Sequence, residues 1–378
     1  MSFLDDNPDM NGTIFTEENL FFARRYLSET FARLDSRWLE KPGGPMGLQW
    51  NGGGRFPACY LIEFARIISL LQTNITAKSV KILYEKVQKL LRARSEVEFE
   101  ETYTELRVAD FLSARMSPIA MDPLVPEEYL NSPNRRPTPD FAVRLPSADV
   151  FFEVTTLYLG ALLDWDKSMN ELRNDLLREL MKKRRLRRSV TLEFPSVFQH
   201  KDLSTDQFSQ IVYEITQQDN GMISINIGDY SANVLWEGFA HFNVPEEMTP
   251  GVAATVGGQL NPAIAVYHKL VVDDNITEQV LKSIRNTLNG KRKQFPYEHP
   301  YVLVIKIGDH RLVESGIGQL LVQRIWPNPD YAWIGGIAFF KPRTSFEKST
   351  DLGPELWLNV NDNAHTLLPQ ELIDVFRR

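Results

Sequence analysis

Sulfur chemistry is nearly absent from this chain. Its 378 residues include a single cysteine, Cys59, which excludes a disulfide framework, a Cys-type zinc site and an iron–sulfur cluster held by this chain alone. The six histidines, at 200, 241, 268, 299, 310 and 365, form no HxH or HExxH pair, so the familiar imidazole metal motifs are missing too. No Gly-x-Gly-x-x-Gly follows a strand, which removes the dinucleotide fingerprint. The glycines of KPGGPMGLQWNGGGRFP, 41–57, lead into no Gly-Lys-Ser/Thr, which removes the P-loop and leaves a surface loop as the reading of that stretch. Glu314-Ser315-Gly316 lacks the frame of a hydrolase nucleophile elbow. No apolar run of about 18 residues occurs, and MSFLDDNPDMNG carries acid where a signal peptide has its apolar core. A soluble protein of the reducing cytoplasm is expected.

Positive charge is also short. Lys and Arg number 42 against 49 Asp and Glu, for a net charge of −7 and a pI near 5.6. The chain as a whole is no polycation, which counts against a dedicated nucleic-acid binder. A nuclease is compatible with it, because an acidic site needs metal and basic surface can be local. An apolar fraction of 43% with 24% charged residues is that of an ordinary globular protein. The length calls for one large or two medium domains.

The N-terminal part reads as helix. Residues 16–38 have Thr16 as N-cap with Glu17 and Glu18 in the first turn. Residues 58–73 and about 76–95 have helical periodicity, the latter with Leu83, Val87, Leu90 and Leu91 on one stripe. With hardly any strand signal before it, 1–95 is expected as an all-α region and 96–378 as an α/β domain with a mixed sheet. A helix over 98–116 comes next, then a Pro-rich loop to Pro139, a hairpin at 136–156, and a helix at 165–188 ending in the basic run KKRRLRR. Beyond it, strands and helices alternate to the end.

The hairpin RPTPDFAVRLPSADVFFEVTT carries the chemistry. Asp140 opens its first strand, and period-2 alternation puts Phe151, Glu153 and Thr155 on one face of the second. A carboxylate among apolar residues is costly unless a charge compensates it, and a metal ion is one such compensator. On the helix before it, Glu105 shares a face with Val108, Ala109, Leu112 and Met116, while Glu100 and Asp110 point elsewhere. Three carboxylates on these elements are suited to hard cations.

In this order, Glu105 in ELRVADFL, Pro139-Asp140 at a strand start and Glu153-Val154-Thr155 on the next strand resemble the PD-(D/E)XK nuclease superfamily. The resemblance covers roughly residues 98–195 in an α-β-β-β-α-β order. It implies a restriction-endonuclease-like core, Mg²⁺ or Mn²⁺ as cofactor, and hydrolysis of a nucleic-acid phosphodiester, DNA before RNA, in a restriction or defence setting. Asp140 and Glu153 would ligate the ion with the Val154 carbonyl, and Glu105 directly or through water. The family pattern expects lysine where this chain has Thr155. Lys167 and the cluster Lys291-Arg292-Lys293-Gln294 are the candidates to replace it. Lys291 extends the Val280, Ile284, Leu288 stripe only if the helix passes Asn289-Gly290, itself a good C-cap.

Blander readings stand beside these. Glu105 is then a partly buried acid paired with an arginine, Asp140 a turn residue, Glu153 an edge-strand residue facing solvent, and Thr155 an ordinary strand residue. Lys182, Lys183, Arg184, Arg185, Arg187 and Arg188 either contact phosphates or complement a helix C-terminus. The alternative function is a catalytically inactive module of the same fold that binds nucleic acid or protein. A third option is a structural or regulatory α/β protein whose N-terminal helices form the functional interface, to a protein partner or a second copy.

Overall fold

The computed structural model describes residues 16–52, 55–125, 138–157, 160–183, 189–194, 203–217, 221–227, 230–237, 248–249, 253–255, 263–269, 274–292, 299–307, 316–341 and 355–377. Five helices come first: α1 (Glu17–Glu40), α2 (Gly44–Asn51), α3 (Arg55–Asn74), α4 (Ser79–Arg92) and α5 (Glu96–Arg115). The Thr16 side chain caps α1, accepting from the Asn19 N–H at 3.0 Å. Ser95 caps α5 in the same way, accepting from Glu98 N–H at 3.3 Å, and the Glu98 carboxylate reaches back to the Arg94 N–H at 2.9 Å.

The stretch 41–57, expected as a surface loop, instead contains α2 and the start of α3. Pro45 in the first turn is pre-set for helix. The glycines there allow close approach: a Cβ on Gly47 would lie 2.8 Å from the Pro42 carbonyl carbon. Met46 is fully buried as a result.

From Thr102 on, the α5 helix is buried nearly all round, not along one stripe. Thr102–Thr104 and Leu106–Ser113 are all buried, because α3, α4 and the sheet pack on different sides of it. Asp110, expected to point away, is buried and forms a two-pronged ion pair with Arg66 at 2.6 and 3.3 Å. Glu63 is buried with it, holding Arg107 at 3.2 Å and the Tyr103 hydroxyl at 2.9 Å.

The segment expected as loop after Met116 contributes a strand, β1 (Ile119–Met121), followed by β2 (Phe141–Arg144) and β3 (Asp149–Leu157). These three form an antiparallel meander. The hairpin closes about Pro146-Ser147, with Leu145 N–H on the Ala148 carbonyl at 3.0 Å. Next in sequence are α6 (Gly160–Lys183), β4 (Ser189–Phe194), α7 (Thr205–Gln217), β5 (Gly221–Ile227), β6 (Tyr230–Glu237), β7 (Met248–Thr249), β8 (Ala253–Thr255) and β9 (Ala263–Lys269). After them come α8 (Asp274–Lys291), β10 (Tyr301–Ile307), α9 (Gly318–Arg324), β11 (Gly336–Lys341), β12 (Glu355–Val360) and α10 (Gln370–Phe376).

The chain divides into two compact units, Met1–Leu157 with Leu281–Arg378, and Tyr158–Val280. In the first, the strand order is β1-β2-β3-β10-β11-β12, with β10 parallel to both β3 and β11 and β12 antiparallel at the edge. The helices before residue 95 do not stand apart from this sheet. Leu27, Phe31, Phe64, Ile68 and Leu83 share one buried cluster with Phe141, Phe152, Val302 and Phe340. In the second unit, β5-β6-β4-β9-β7 form a sheet of their own, with β8 also on β9.

This division splits the stretch 98–195 over two sheets. β4 pairs with β6 and β9, so 189–194 belongs to the second sheet. The strand beside β3 is β10, and α8 precedes it, so the helix and strand that follow the meander into this sheet come about 110 residues later than α6 and β4.

Candidate functional site

Alternation on β3 separates two environments. Val150 and Phe152 enter the core shared with the helices, while Phe151 stacks on Tyr301 of β10 with ring centroids 5.4 Å apart. Glu153, in register with Leu303, therefore lies on the Phe151 side. Phe141 pairs with Phe152, so the antiparallel register carried one step further sets Asp140 against Glu153. The Asp140 Oδ2 accepts the Val154 N–H at 2.7 Å. A buried proline, Pro139, fixes the approach.

Two lysines converge here. α8 does not stop at Asn289-Gly290: its buried row Val280, Leu281, Ile284 and Leu288 anchors it, open space surrounds Gly290, and the helix continues to Lys291. From that position the Lys291 ammonium forms an ion pair with Glu153 Oε1. The second lysine is Lys86 on α4. It holds Glu105 Oε2 at 2.8 Å and Asp122 Oδ1 at 3.0 Å, with its side chain only 13% exposed.

Asp122 follows β1, and its N–H donates to the Asp140 carbonyl at 2.9 Å. Its φ of 43° lies in the left-handed region, which aspartate tolerates better than most residues. Residues from α4, α5, β1, β2, β3 and α8 thus meet around one point of the first unit.

The electrostatics follow from burial and crowding. Burial, then the charges of Glu153 and Glu105, push the Asp140 carboxyl up to about 8, against the weaker pull of the Val154 N–H and Lys86. Burial also raises Glu153 and outweighs the attraction of Lys291, with Glu105 adding to the rise. Burial alone would lower the Lys86 ammonium, but Glu105, Asp122 and Asp140 outweigh it and hold the proton more tightly than usual. The Tyr301 hydroxyl is raised by burial and by the nearby Glu153 charge.

Four carboxylates face two ammonium groups, a formal charge of −2 when all are ionised. Oxygen donors with that excess match a hard divalent cation. As placed, however, no three His, Cys, Asp or Glu side chains among the described residues lie close enough together to hold a metal ion. Glu105 is turned onto Lys86 and Glu153 onto Lys291. The donor set and charge fit an ion, and Glu153 must swing off Lys291 to reach one.

The structure thus brings together Glu105, Asp140, Glu153 and Lys291. Glu105 pairs with a lysine, not the arginine its blander reading expected. Val154 meets the site through its N–H, while its carbonyl lies in the strand that ladders with β10. Thr155 is half-buried and in register with Ile305. Lys167 is exposed and belongs to the second unit, and Arg292 pairs with Asp330 at 3.2 Å. Lys293, Gln294 and residues 184–188 of the basic run lie outside the described residues, as do the side chains of Lys182 and Lys183 at the end of α6.

Sequence reasoning missed Lys86 and Asp122. For Lys86 a signal existed, since it falls three residues after Leu83 and four before Leu90, beside the buried row. A lysine held there needs acidic partners. Asp122 carried no comparable signal. Among the described residues no helix is long and apolar enough to cross a membrane. In comparison with known proteins, no family model, curated protein or solved structure matches the chain.

Proposed function

We propose that the cluster is the active centre of a divalent-metal-dependent nuclease of restriction-endonuclease-like fold, hydrolysing phosphodiester bonds in DNA. The observation that carries this reading is the apposition of Asp140 and Glu153 across the β2–β3 pair, mutually repelling, with Lys291 delivered to Glu153 from α8. The element order supports it as well: α5, the β1-β2-β3 meander, then α8 and the parallel β10, with the second unit inserted between.

Asp140 and Glu153 would hold Mg²⁺ or Mn²⁺, with Glu105 serving the ion through a water while it stays paired with Lys86. When bound, the ion supplies an acidified water and neutralises charge on the phosphate. Asp140, its carboxyl pushed up by its neighbours, would release its proton to solvent to take up the cation. Lys291, once freed from Glu153, would supply the ammonium for the phosphate charge, the role Thr155 cannot fill because a hydroxyl carries no charge. The Val154 N–H keeps Asp140 oriented throughout.

A catalytically inactive module of the same fold is the competing reading. It is favoured by the fact that Glu105 and Glu153 are already neutralised by lysines. Plasmid and single-stranded DNA incubated with Mg²⁺ or Mn²⁺ separate the two. Cleavage that Asp140→Asn and Glu153→Gln abolish, and that Lys291→Ala cuts by about 100-fold or more, supports the nuclease. Cleavage that survives these changes or needs no metal refutes it, and no Mn²⁺ affinity by calorimetry favours the inactive module.

A further inference from the structure

Lys86 is the most firmly held charge of the cluster and is not needed to explain the Asp140–Glu153 pair. Its stem rises from α4 beside the buried residues Leu83, Val87 and Leu90. Its ammonium bridges two carboxylates that arrive from different elements, Glu105 of α5 at 2.8 Å and Asp122 after β1 at 3.0 Å. Asp140 lies near enough to strengthen its charge.

Sites that transfer phosphoryl groups with two divalent ions set the second ion about 4 Å from the first, in a cradle of carboxylates contributed by separate elements. Glu105 and Asp122 form such a cradle, adjoining Asp140, and the ammonium of Lys86 occupies it. We propose that Lys86 stands in permanently for a second ion and makes this a one-metal site. The proposal rests on the metal-dependent reading above.

The physical reason is competition between a tethered and a free cation. Lys86 is covalently held, so its effective concentration at the cradle does not fall when metal is scarce. A second divalent ion must expel that ammonium from two carboxylates that hold it at 2.8 and 3.0 Å. Removing the ammonium leaves Glu105 and Asp122 uncompensated and takes the formal charge of the cluster from −2 to −3. The vacated cradle then attracts a second hard cation.

Calorimetric titration of the full chain with Mn²⁺, together with electron paramagnetic resonance of the bound ion, tests this. Wild type is expected to bind one ion and to give the spectrum of isolated Mn²⁺ at saturation. Lys86→Met is expected to bind two and to give a spin-coupled pair, while Lys86→Arg stays at one. Two ions in the wild type, or one in a folded Lys86→Met protein, overturns the inference and leaves the metal-dependent reading standing. A wild type that binds no ion overturns both. The wild-type spectrum decides the matter even where Lys86→Met does not fold, because a coupled pair there contradicts a permanently filled cradle.

Discussion

Replacing Asp140 by asparagine should make the metal-free protein more stable at alkaline pH, and should abolish Mn²⁺ binding. In the folded state the Asp140 carboxyl is raised from an ordinary 3.8 to about 8 by burial and by Glu153 and Glu105. Folding therefore favours the protonated form. The stability linked to this group is fully present below pH 4 and is lost as pH climbs towards 8. At about 1.4 kcal/mol per unit, the full span is on the order of 5 kcal/mol, an upper figure because Asp140 keeps some contact with solvent. Asparagine has no charge to bury, and its side-chain oxygen still accepts the Val154 N–H. Urea denaturation of EDTA-treated wild type and Asp140→Asn, compared at pH 5.5 and pH 8.5, gives the difference directly. The advantage of the variant should widen by roughly 3 kcal/mol between the two. A variant equally destabilised at both pH values would refute the reasoning, since it would mean that Asp140 is already charged and compensated in the folded protein.

Other outcomes test the scaffold. Asp110→Ala should cost about 3 kcal/mol, because it strands the Arg66 guanidinium, whose side chain is only 13% exposed, and calorimetry should find Mn²⁺ binding unchanged in the folded fraction. Gly44→Ala should destabilise by more than about 1 kcal/mol in urea melts, since φ is +68° and the new Cβ would lie 2.3 Å from the Ala93 carbonyl oxygen. Ser95→Ala removes the cap on the Glu98 N–H and should cost about 1 kcal/mol, visible as faster hydrogen exchange in the first turn of α5.

The hairpin and its two acids were legible in the sequence because strand alternation fixes side-chain direction locally. The Pro146-Ser147 turn and the Thr16 cap are equally local signals. Lys291 was legible only conditionally: Asn289-Gly290 reads as a helix end, and the buried row below it decides that the helix goes on. What local pattern did not carry is partnership at long range. The pairing of β3 with β10, separated by a whole second unit, cannot be inferred from either strand. For the same reason β4 was assigned to the wrong sheet. Helix α2 was hidden by its glycines and prolines, which there serve close packing and a helix start. Lys86 was passed over because its carboxylate partners, Glu105 and Asp122, lie 19 and 36 residues away and only the fold brings them to it.

The central claim is that Asp140 and Glu153 jointly bind a divalent cation. A crystal of the wild-type protein soaked in Mn²⁺, with anomalous diffraction recorded near the manganese edge, tests it most directly. One anomalous peak should appear between the Asp140 and Glu153 carboxylates, with Lys291 turned away from Glu153 and Lys86 still on Glu105 and Asp122. A well-ordered site with both lysine pairs intact and no manganese between the two acids would contradict the account.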